Sequence, residues 1–150
     1  MKALLQRVSK ARAILVDTGD VLGGIGPGLT VLVCSDPDDG LEEVEFFARK
    51  IVNMRLFEDD DGKMNRSVLD VGGAILVVSQ FTLAAEWRKG NRPSFSNAAA
   101  PELAETLYGK LVTAISELGV PVQTGRFRSH MQIDLINDGP VTIWMNSKDR

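Results

Sequence analysis

The sequence has little of the chemistry that metal centres and disulfides require. Its 150 residues include one cysteine, Cys34, and one histidine, His130. A single cysteine excludes an internal disulfide and is typical of proteins of the reducing cytoplasm, where we expect this chain to act. One cysteine and one histidine cannot supply a tetrahedral zinc site. We therefore expect no metal and no cofactor.

The chain also lacks long apolar runs and an excess of basic residues. No run approaches the ~20 apolar residues of a membrane span, and residues 1–7 become polar too soon for a signal peptide, so we expect no membrane partner. Lysine and arginine number 17 and the acidic residues 20, for a net charge of −3. This balance argues against broad nucleic-acid binding and predicts no DNA partner, but it permits local basic contacts to a specific RNA.

What the chain does contain is the composition of one globular domain. Hydrophobic residues make up 44% and charged residues 25%, which predicts a single domain over residues 1–150 with a sizeable core. Acidic clusters at 36–39 and 58–61 do not match an EF-hand and indicate solvated loops. The glycine-rich segment 23–28 lacks the Lys-Ser/Thr of a P-loop and predicts tight turns.

The hydrophobic periodicity predicts many strands and two helices. The predicted strands are 3–8, 12–16, 21–25, 29–34, 54–57, 74–78, 120–124, 131–136 and 141–145. One helix buries a stripe from Leu41 to Ile51 and is capped by Asp38 or Asp39. The other begins at Pro101 and buries a stripe that ends at Leu118. This combination predicts a mixed α/β fold with the helices on one side of the sheet.

The strongest site candidate is Ser-Gln-Phe-Thr-Leu at residues 79–83, where the most apolar strand ends. Rigid scaffolds often present functional groups at strand ends. Ser79, Gln80 and Thr82 bring hydroxyl and amide groups there, and local backbone N–H groups can face a substrate. The alternative is a strand that ends in polar residues as it surfaces. A serine esterase would require His130 beside Ser79 or Thr82.

The best basic stretch is Glu-Trp-Arg-Lys-Gly-Asn-Arg-Pro at residues 86–93, and Arg126 with Arg128 forms a smaller one. Basic side chains with an aromatic ring suit phosphates and a stacked base. The candidate RNA contacts are Trp87, Arg88, Lys89 and Arg92. The alternative is a solvated loop with its tryptophan tucked against the protein.

Residues 137–142, Asn-Asp-Gly-Pro-Val-Thr, lie between two predicted strands. Asn-Gly or Asp-Gly alone could close a hairpin there. Pro140 is not needed for a hairpin, removes a ladder donor and permits a cis bond, while Gly139 leaves the backbone bare. The segment predicts either an ordinary turn or a stiff tip that presents backbone carbonyls outward.

Taken together, these segments resemble the D-aminoacyl-tRNA deacylases of bacteria and eukaryotes. Residues 79–83 and 137–142 are similar to the two signature motifs of that family. Further similar segments, in register with these two, are 6–8, 62–65, 92–96 and 124–127. The resemblance covers essentially the whole chain. It departs at Arg-Ser-His, residues 128–130, where we expect smaller or less basic residues, and at the tail, 146–150.

The resemblance implies a fold, a reaction and an assembly. The fold would be a single domain of mixed, barrel-like β-sheets with two main helices on one side, in three layers, α/β/β. The reaction would be hydrolysis of the ester between a D-amino acid and the terminal adenosine of tRNA. The protein would be a homodimer in which a cis Gly139–Pro140 tip, held by Arg7, enters the partner's active site.

The same resemblance implies a mechanism. The catalytic residues would be Ser79, Gln80, Phe81 and Thr82, with backbone N–H groups stabilising the oxyanion, Thr82 in a positioning role, and the 2′-hydroxyl of the terminal ribose assisting the attacking water. Rejection of L-substrates by steric clash would leave glycyl-tRNA slowly cleaved. The alternatives are a related editing hydrolase that removes an L-amino acid and a non-catalytic RNA-binding module.

Overall fold

The fold is organised by two long antiparallel strands from opposite ends of the chain. The computed structural model describes residues 1–149. Its strands are β1 (Lys2–Leu15), β2 (Val21–Ile25), β3 (Gly28–Cys34), β4 (Phe57–Glu58), β5 (Met64–Arg66), β6 (Ala74–Ser79), β7 (Val122–Thr124) and β8 (Met131–Asn146). β1 pairs with β8 along its length, with Lys2 opposite Asn146 and Leu15 opposite Met131.

This pairing corrects the predicted strand boundaries. The strands predicted at 3–8 and 12–16 are one strand, and those predicted at 131–136 and 141–145 are the two halves of another. Residues 137–142 do not reverse the chain as an ordinary turn would. Both halves of β8 run along β1 in the same direction, because the extra residues between them are accommodated as a bulge.

One mixed sheet contains six of the strands. Its order is β2–β1–β3–β6–β7, with β8 paired to β1. The first half of β1 pairs with β3 and the second half with β2, while β8 pairs with both halves. β6 lies parallel to β3 and to β7. β4 and β5 form a separate small hairpin.

The sheet curls so that its two halves enclose a core of their own. Ile75 and Val77 of β6 belong to the core under the helices, whereas Leu76 and Val78 belong to a second core between the sheet halves. β6 is therefore buried on both faces, as its continuous apolar run predicted. The helices and the two halves of the sheet make three layers. The single mixed α/β domain with a barrel-like sheet is confirmed.

Both helices lie on one side of this sheet. They are α1 (Leu41–Asn53) and α2 (Pro101–Glu117). α1 is amphipathic and buries Phe47 and Ile51, but Leu41 at its start is 55% exposed. The predicted caps, Asp38 and Asp39, are wrong: the cap position is Gly40.

The reason for the different cap of α1 lies in the acidic cluster 36–39. Asp39 accepts hydrogen bonds from the backbone N–H of Asp36 and from the amino group of Met1, so its carboxylate is not available to the helix. Glu43 instead accepts the Gly40 N–H at 2.9 Å. Asp36, only 2% exposed, pairs with Lys2. The interpretation of this cluster as a solvated loop is therefore wrong for Asp36 and Asp39, whereas Pro37 and Asp38 are exposed.

The remaining differences are local. Of the strand predicted at 54–57 only Phe57 is in a strand, whereas the predicted exposed tip at 58–63 does join β4 to β5. Leu118 follows the end of α2 and is 38% exposed. In the tail, the Ser147 N–H donates to the Met1 carbonyl at 2.8 Å, and Arg150 lies outside the described residues. No helix within residues 1–149 is long and apolar enough to cross a membrane.

Gly28 marks a close approach between β3 and β6. A Cβ built there would lie 1.8 Å from the Ala74 carbonyl oxygen, its neighbour across the parallel ladder. We expect Gly28→Ala to lower the free energy of unfolding by about 1–3 kcal/mol or more, because the strands must separate. Urea denaturation measures this change. Gly26→Ala, where a Cβ meets nothing within 4 Å, is the matched control and should stay within about 0.5 kcal/mol of the parent. Equal stability of the two variants would contradict the close approach.

Candidate active site

A cavity of about 690 Å³ opens where β6 ends. Ser79, Gln80 and Phe81 form one wall of it, and residues 126–131 form another. Its remaining lining comes from β6, the end of β3, the loop before α2, the start of α2 and the first half of β8: Val78, Cys34, Ser35, Phe95, Ala98, Ala99, Pro101, Ala104 and Ile133. Three of the four predicted catalytic residues therefore line one cavity, and Thr82 follows directly.

The backbone at this strand end is fixed by hydrogen bonds. The Gln80 N–H donates to the Val33 carbonyl of β3 at 2.7 Å, and the chain then enters a 3-10 helix, Phe81–Ala84. The first N–H groups of a helical turn have no acceptor within that turn. Here these are the N–H groups of Phe81 and Thr82, since Leu83 is the first to donate inside the turn, to Gln80 at 3.2 Å.

The side chains of the turn are arranged to hold it. The Gln80 amide donates to the Thr82 hydroxyl. The Phe81 ring packs edge-on against Phe95 at 5.1 Å but is still 55% exposed. The Cys34 thiol lies 3.6 Å from the Phe81 carbonyl, and burial raises the pKa of that thiol. No side chain in this turn is a strong general base.

The other wall of the cavity is supported by α2. The Tyr108 hydroxyl donates to the Val77 carbonyl at 2.9 Å, and its ring contacts Phe127 at 6.2 Å between centroids. Burial raises the pKa of Tyr108 to about 12, so the phenol stays protonated and keeps donating even at alkaline pH. Sequence reasoning did not assign Phe127 and Met131 to the site. Hydrophobic periodicity does not predict that the loop containing Phe127 folds against the end of β6, which is distant in sequence.

His130 lines the same cavity as Ser79. A Ser-His-Asp triad also needs a carboxylate behind the imidazole. Among the described residues that line the cavity there is no aspartate or glutamate. The arrangement thus lacks one of the three parts that a serine esterase would use.

The basic stretch 86–93 forms a separate projection. Glu86 and Ser94 pair as an isolated bridge at its base. Trp87 is 71% exposed, so the alternative in which this ring is tucked against the protein is wrong. Arg88 pairs with Glu86 at 3.0 Å and lies over the Trp87 ring. This projection does not line the cavity, whereas Arg126 and Arg128 do.

The Gly139–Pro140 tip is a bulge opposite a single residue of β1. Gln6 is opposite Thr142 and Val8 is opposite Asn137, so residues 138–141 face Arg7 alone. The Gly139–Pro140 peptide bond is cis, and Gly139 has φ +134°. A Cβ at Gly139 would lie 2.7 Å from the Val141 Cγ2 atom, which requires glycine there.

Arg7 and Asn137 fix this bulge to the sheet. Arg7 is only 7% exposed; its Nε donates to the Asp138 carbonyl at 3.1 Å and its Nη1 to the Leu56 carbonyl at 2.7 Å. The Asn137 amide donates to the carbonyls of Arg7 and Val141, each at 3.0 Å. Both ends of the tip are therefore held by hydrogen bonds.

The tip lies level with the beginning of β3 and β6, whereas the cavity opens where these two strands end. Arg7 pairs with Leu29 of β3, whereas Ser79 of β6 pairs with Val33 of β3. Leu29 and Val33 are four residues apart, which is about 13 Å along β3. In addition, β1, which carries Arg7, and β6, which carries Ser79, are two strand spacings apart across the sheet. The tip residues are not among those lining the cavity.

Comparison with known proteins identifies the family. A family model described as D-Tyr-tRNA(Tyr) deacylase matches residues 4–146. A D-aminoacyl-tRNA deacylase of Paracoccus denitrificans is 54% identical over 153 residues, covering 100% of this chain and 99% of the relative. One of Ruegeria pomeroyi is 56% identical over 146 residues, covering 97% and 99%.

Solved structures show the same fold. One described as c-Myc DNA Unwinding Element Binding Protein is 40% identical, with a TM-score of 0.91 over 98% of this chain and 99% of that chain. Another, of a probable eukaryotic D-amino acid tRNA deacylase, is 17% identical, with a TM-score of 0.80 over 96% and 97%, a likeness of fold. The family match over nearly the whole chain confirms the resemblance seen in the sequence: the chain belongs to the D-aminoacyl-tRNA deacylases, a family of hydrolases.

Proposed function

We propose that this protein hydrolyses the ester bond of D-aminoacyl-tRNA and releases free tRNA and the D-amino acid. The observation that carries the proposal is the turn that begins at Phe81, a residue that lines the cavity, in a chain that matches this family from residue 4 to 146. We place the activity in the cytoplasm, where charged tRNA is used. The single free thiol, Cys34, suits that compartment.

The chemistry asks mainly for a stabilised oxyanion. Water adds to the ester carbonyl carbon, and the N–H groups of Phe81 and Thr82 donate to the carbonyl oxygen as its negative charge develops. The water proton passes through the ribose 2′-hydroxyl to the departing 3′-oxygen. The products are the free amino acid and the tRNA 3′-hydroxyl. The absence of a carboxylate from the described cavity lining supports this assistance by the substrate.

Selection against L-amino acids is proposed to come from the tip of a partner subunit in a homodimer. Asp138, Gly139 and Pro140 are exposed, and they are not among the residues that line their own cavity. We infer that this tip meets the cavity of a second copy. Ile136 and Trp144 flank the tip on β8 and are 49% and 47% exposed, which supports a second copy packing on this strand.

The tip would act by exclusion. A rigid backbone leaves no room for an L side chain, whereas a D side chain points away from it. The cavity then needs no contact with the D side chain, and many D-amino acids are accepted. Glycine has no side chain to clash and is cleaved slowly.

The 40% identical structure described as a DNA-binding protein raises DNA as a second candidate ligand. We expect no DNA partner, since the chain carries a net charge of −3. A non-catalytic RNA-binding module is a further candidate, because the 86–93 projection does not depend on the cavity. Saturable binding of tRNA or duplex DNA without any deacylation would favour these alternatives.

The substrate test is deacylation of matched D-tyrosyl-, L-tyrosyl- and glycyl-tRNA by the purified protein, with its mass in solution measured alongside. We expect rapid release of D-tyrosine, slow release of glycine, no release of L-tyrosine, and the mass of a dimer. Preferential release of L-tyrosine would indicate an editing hydrolase of the other chirality. Complete resistance of glycyl-tRNA at high enzyme concentration would count against steric exclusion.

The oxyanion role of the backbone is tested by two substitutions at one position. Proline is tolerated at the first position of a helical turn, and the preceding Gln80 is extended, with φ −142°. Phe81→Pro removes the N–H and the ring, whereas Phe81→Ala removes the ring alone. We expect single-turnover hydrolysis of D-tyrosyl-tRNA by Phe81→Pro to be about 10²–10³-fold slower than by Phe81→Ala.

Two further observations accompany that comparison. Thr82→Ala should retain hydrolysis, because its hydroxyl positions the turn and does not attack the ester. Circular dichroism confirms that each variant is folded. Equal rates for Phe81→Pro and Phe81→Ala would contradict an oxyanion role for this N–H. Inactivity of Thr82→Ala with tRNA binding intact would point to Thr82 as a nucleophile.

A further inference from the structure

Three basic residues stand at the edge of the cavity: Arg126, Arg128 and His130, here named the cationic rim. All three line the cavity and all three are exposed. The part of the lining that the structure describes, within residues 1–149, contains no aspartate or glutamate. The only formal charges around the cavity are therefore positive, which favours an anionic ligand.

The rim is held in place rather than free to move as a loop. The Ser129 N–H donates to the Arg126 carbonyl at 3.3 Å, and the Val16 N–H donates to the His130 carbonyl at 3.1 Å. Arg128 adopts φ +57°, a left-handed backbone conformation that residues other than glycine and asparagine seldom adopt. Exposure alternates along the segment, because Phe127 and Ser129 are half-buried between the exposed basic residues. The basic side chains are thus presented together on the open side of the segment.

The two arginines of the rim are also not neutralised within the chain. Other exposed arginines pair with carboxylates: Arg12 with Asp134, Arg66 with Asp60 and Arg88 with Glu86. Within residues 1–149, neither Arg126 nor Arg128 has a carboxylate oxygen within ion-pair distance. Two unpaired guanidinium groups at the mouth of an acid-free cavity are suited to bind a phosphate or carboxylate of a ligand.

We propose that the cationic rim binds the phosphodiester groups of the single-stranded tRNA 3′ end while the ester lies at Phe81 and Thr82. This inference rests on the proposed function. Because the ester is on the last nucleotide, the terminal adenosine lies inside the cavity. The phosphates on its 5′ side then extend out through the mouth of the cavity, where Arg126 and Arg128 lie. The 86–93 projection is less suited to this role, because Arg88 is already paired and the projection lies off the cavity.

Two substrates separate phosphate binding from ester hydrolysis. D-tyrosyl-tRNA carries the phosphates, and the D-tyrosyl ester of adenosine has the same scissile bond without them. For Arg126→Gln/Arg128→Gln, we expect kcat/KM on the tRNA to fall roughly 10–100-fold, mainly through KM, since glutamine cannot form the charge-assisted hydrogen bonds to phosphate. On the adenosine ester we expect a change of less than about threefold, within the range of surface substitutions. The slope of log kcat/KM against log salt should flatten by about 0.7 for each phosphate that the variant no longer neutralises.

Control variants show that the effect belongs to the rim. Arg49→Gln removes an exposed arginine of α1 that does not line the cavity, and it should behave as the parent on both substrates. Arg128→Gly removes the charge at a left-handed position that glycine adopts without steric cost, so it should fold while weakening tRNA cleavage. Thermal denaturation measures folding for every variant.

The outcomes are distinguishable. If the parent cleaves both substrates and Arg126→Gln/Arg128→Gln keeps the parent's kcat/KM on tRNA, the rim does not bind phosphate, while the proposed function stands. An equal decrease on both substrates also overturns the inference, because the arginines would then shape the cavity itself. If the parent cleaves neither substrate, the proposed function fails. Filter binding of uncharged tRNA by the same variants then still decides whether the rim holds RNA.

Discussion

The pairing of β1 with β8 determines where every functional element of this protein lies. It joins the two ends of the chain along 14 residues of β1, and its one large irregularity is the bulge at residues 138–141. Arg7, opposite that bulge, is the residue on which the tip depends: its guanidinium binds the Asp138 and Leu56 carbonyls. Breaking either hydrogen bond would remove a charge-assisted contact of a buried guanidinium, and these contacts hold the tip against the sheet.

The same pairing separates the tip from the cavity of its own chain. Because β1 is antiparallel to β3 and β3 is parallel to β6, the residue opposite the tip lies near the beginning of β6, while Ser79 ends that strand. The site therefore lies where β6 ends, and the exposed, hydrogen-bonded projection lies level with its beginning. In the proposed homodimer, one chain's projection would meet the other chain's cavity.

Local sequence patterns predicted most of the elements, and long-range pairing decided the rest. The apolar run at 74–78 and the helical stripes that contain Phe47 and Leu111 indicated burial directly, because buried positions favour apolar residues. The bulge at 138–141 was not predictable from local pattern, because its turn residues also suit a hairpin and only the partner strand distinguishes the two. The same holds for Phe127 and Arg128, which reach the cavity through a loop whose placement is set by α2 and β1. Asp36 and Asp39 were misread because their partners, Met1 and Lys2, are distant in sequence.

The most direct test of tip action across the dimer is a mixed dimer, purified through two different tags, of one Phe81→Pro chain and one Gly139→Ala chain. Its only working cavity belongs to the Gly139→Ala chain and faces the intact tip of its partner. The mixed dimer should therefore hydrolyse D-tyrosyl-tRNA and spare L-tyrosyl-tRNA, whereas the Gly139→Ala homodimer, with its tips displaced, should discriminate poorly. A mixed dimer that hydrolyses L-tyrosyl-tRNA as readily as that homodimer would contradict a tip that serves the partner's site.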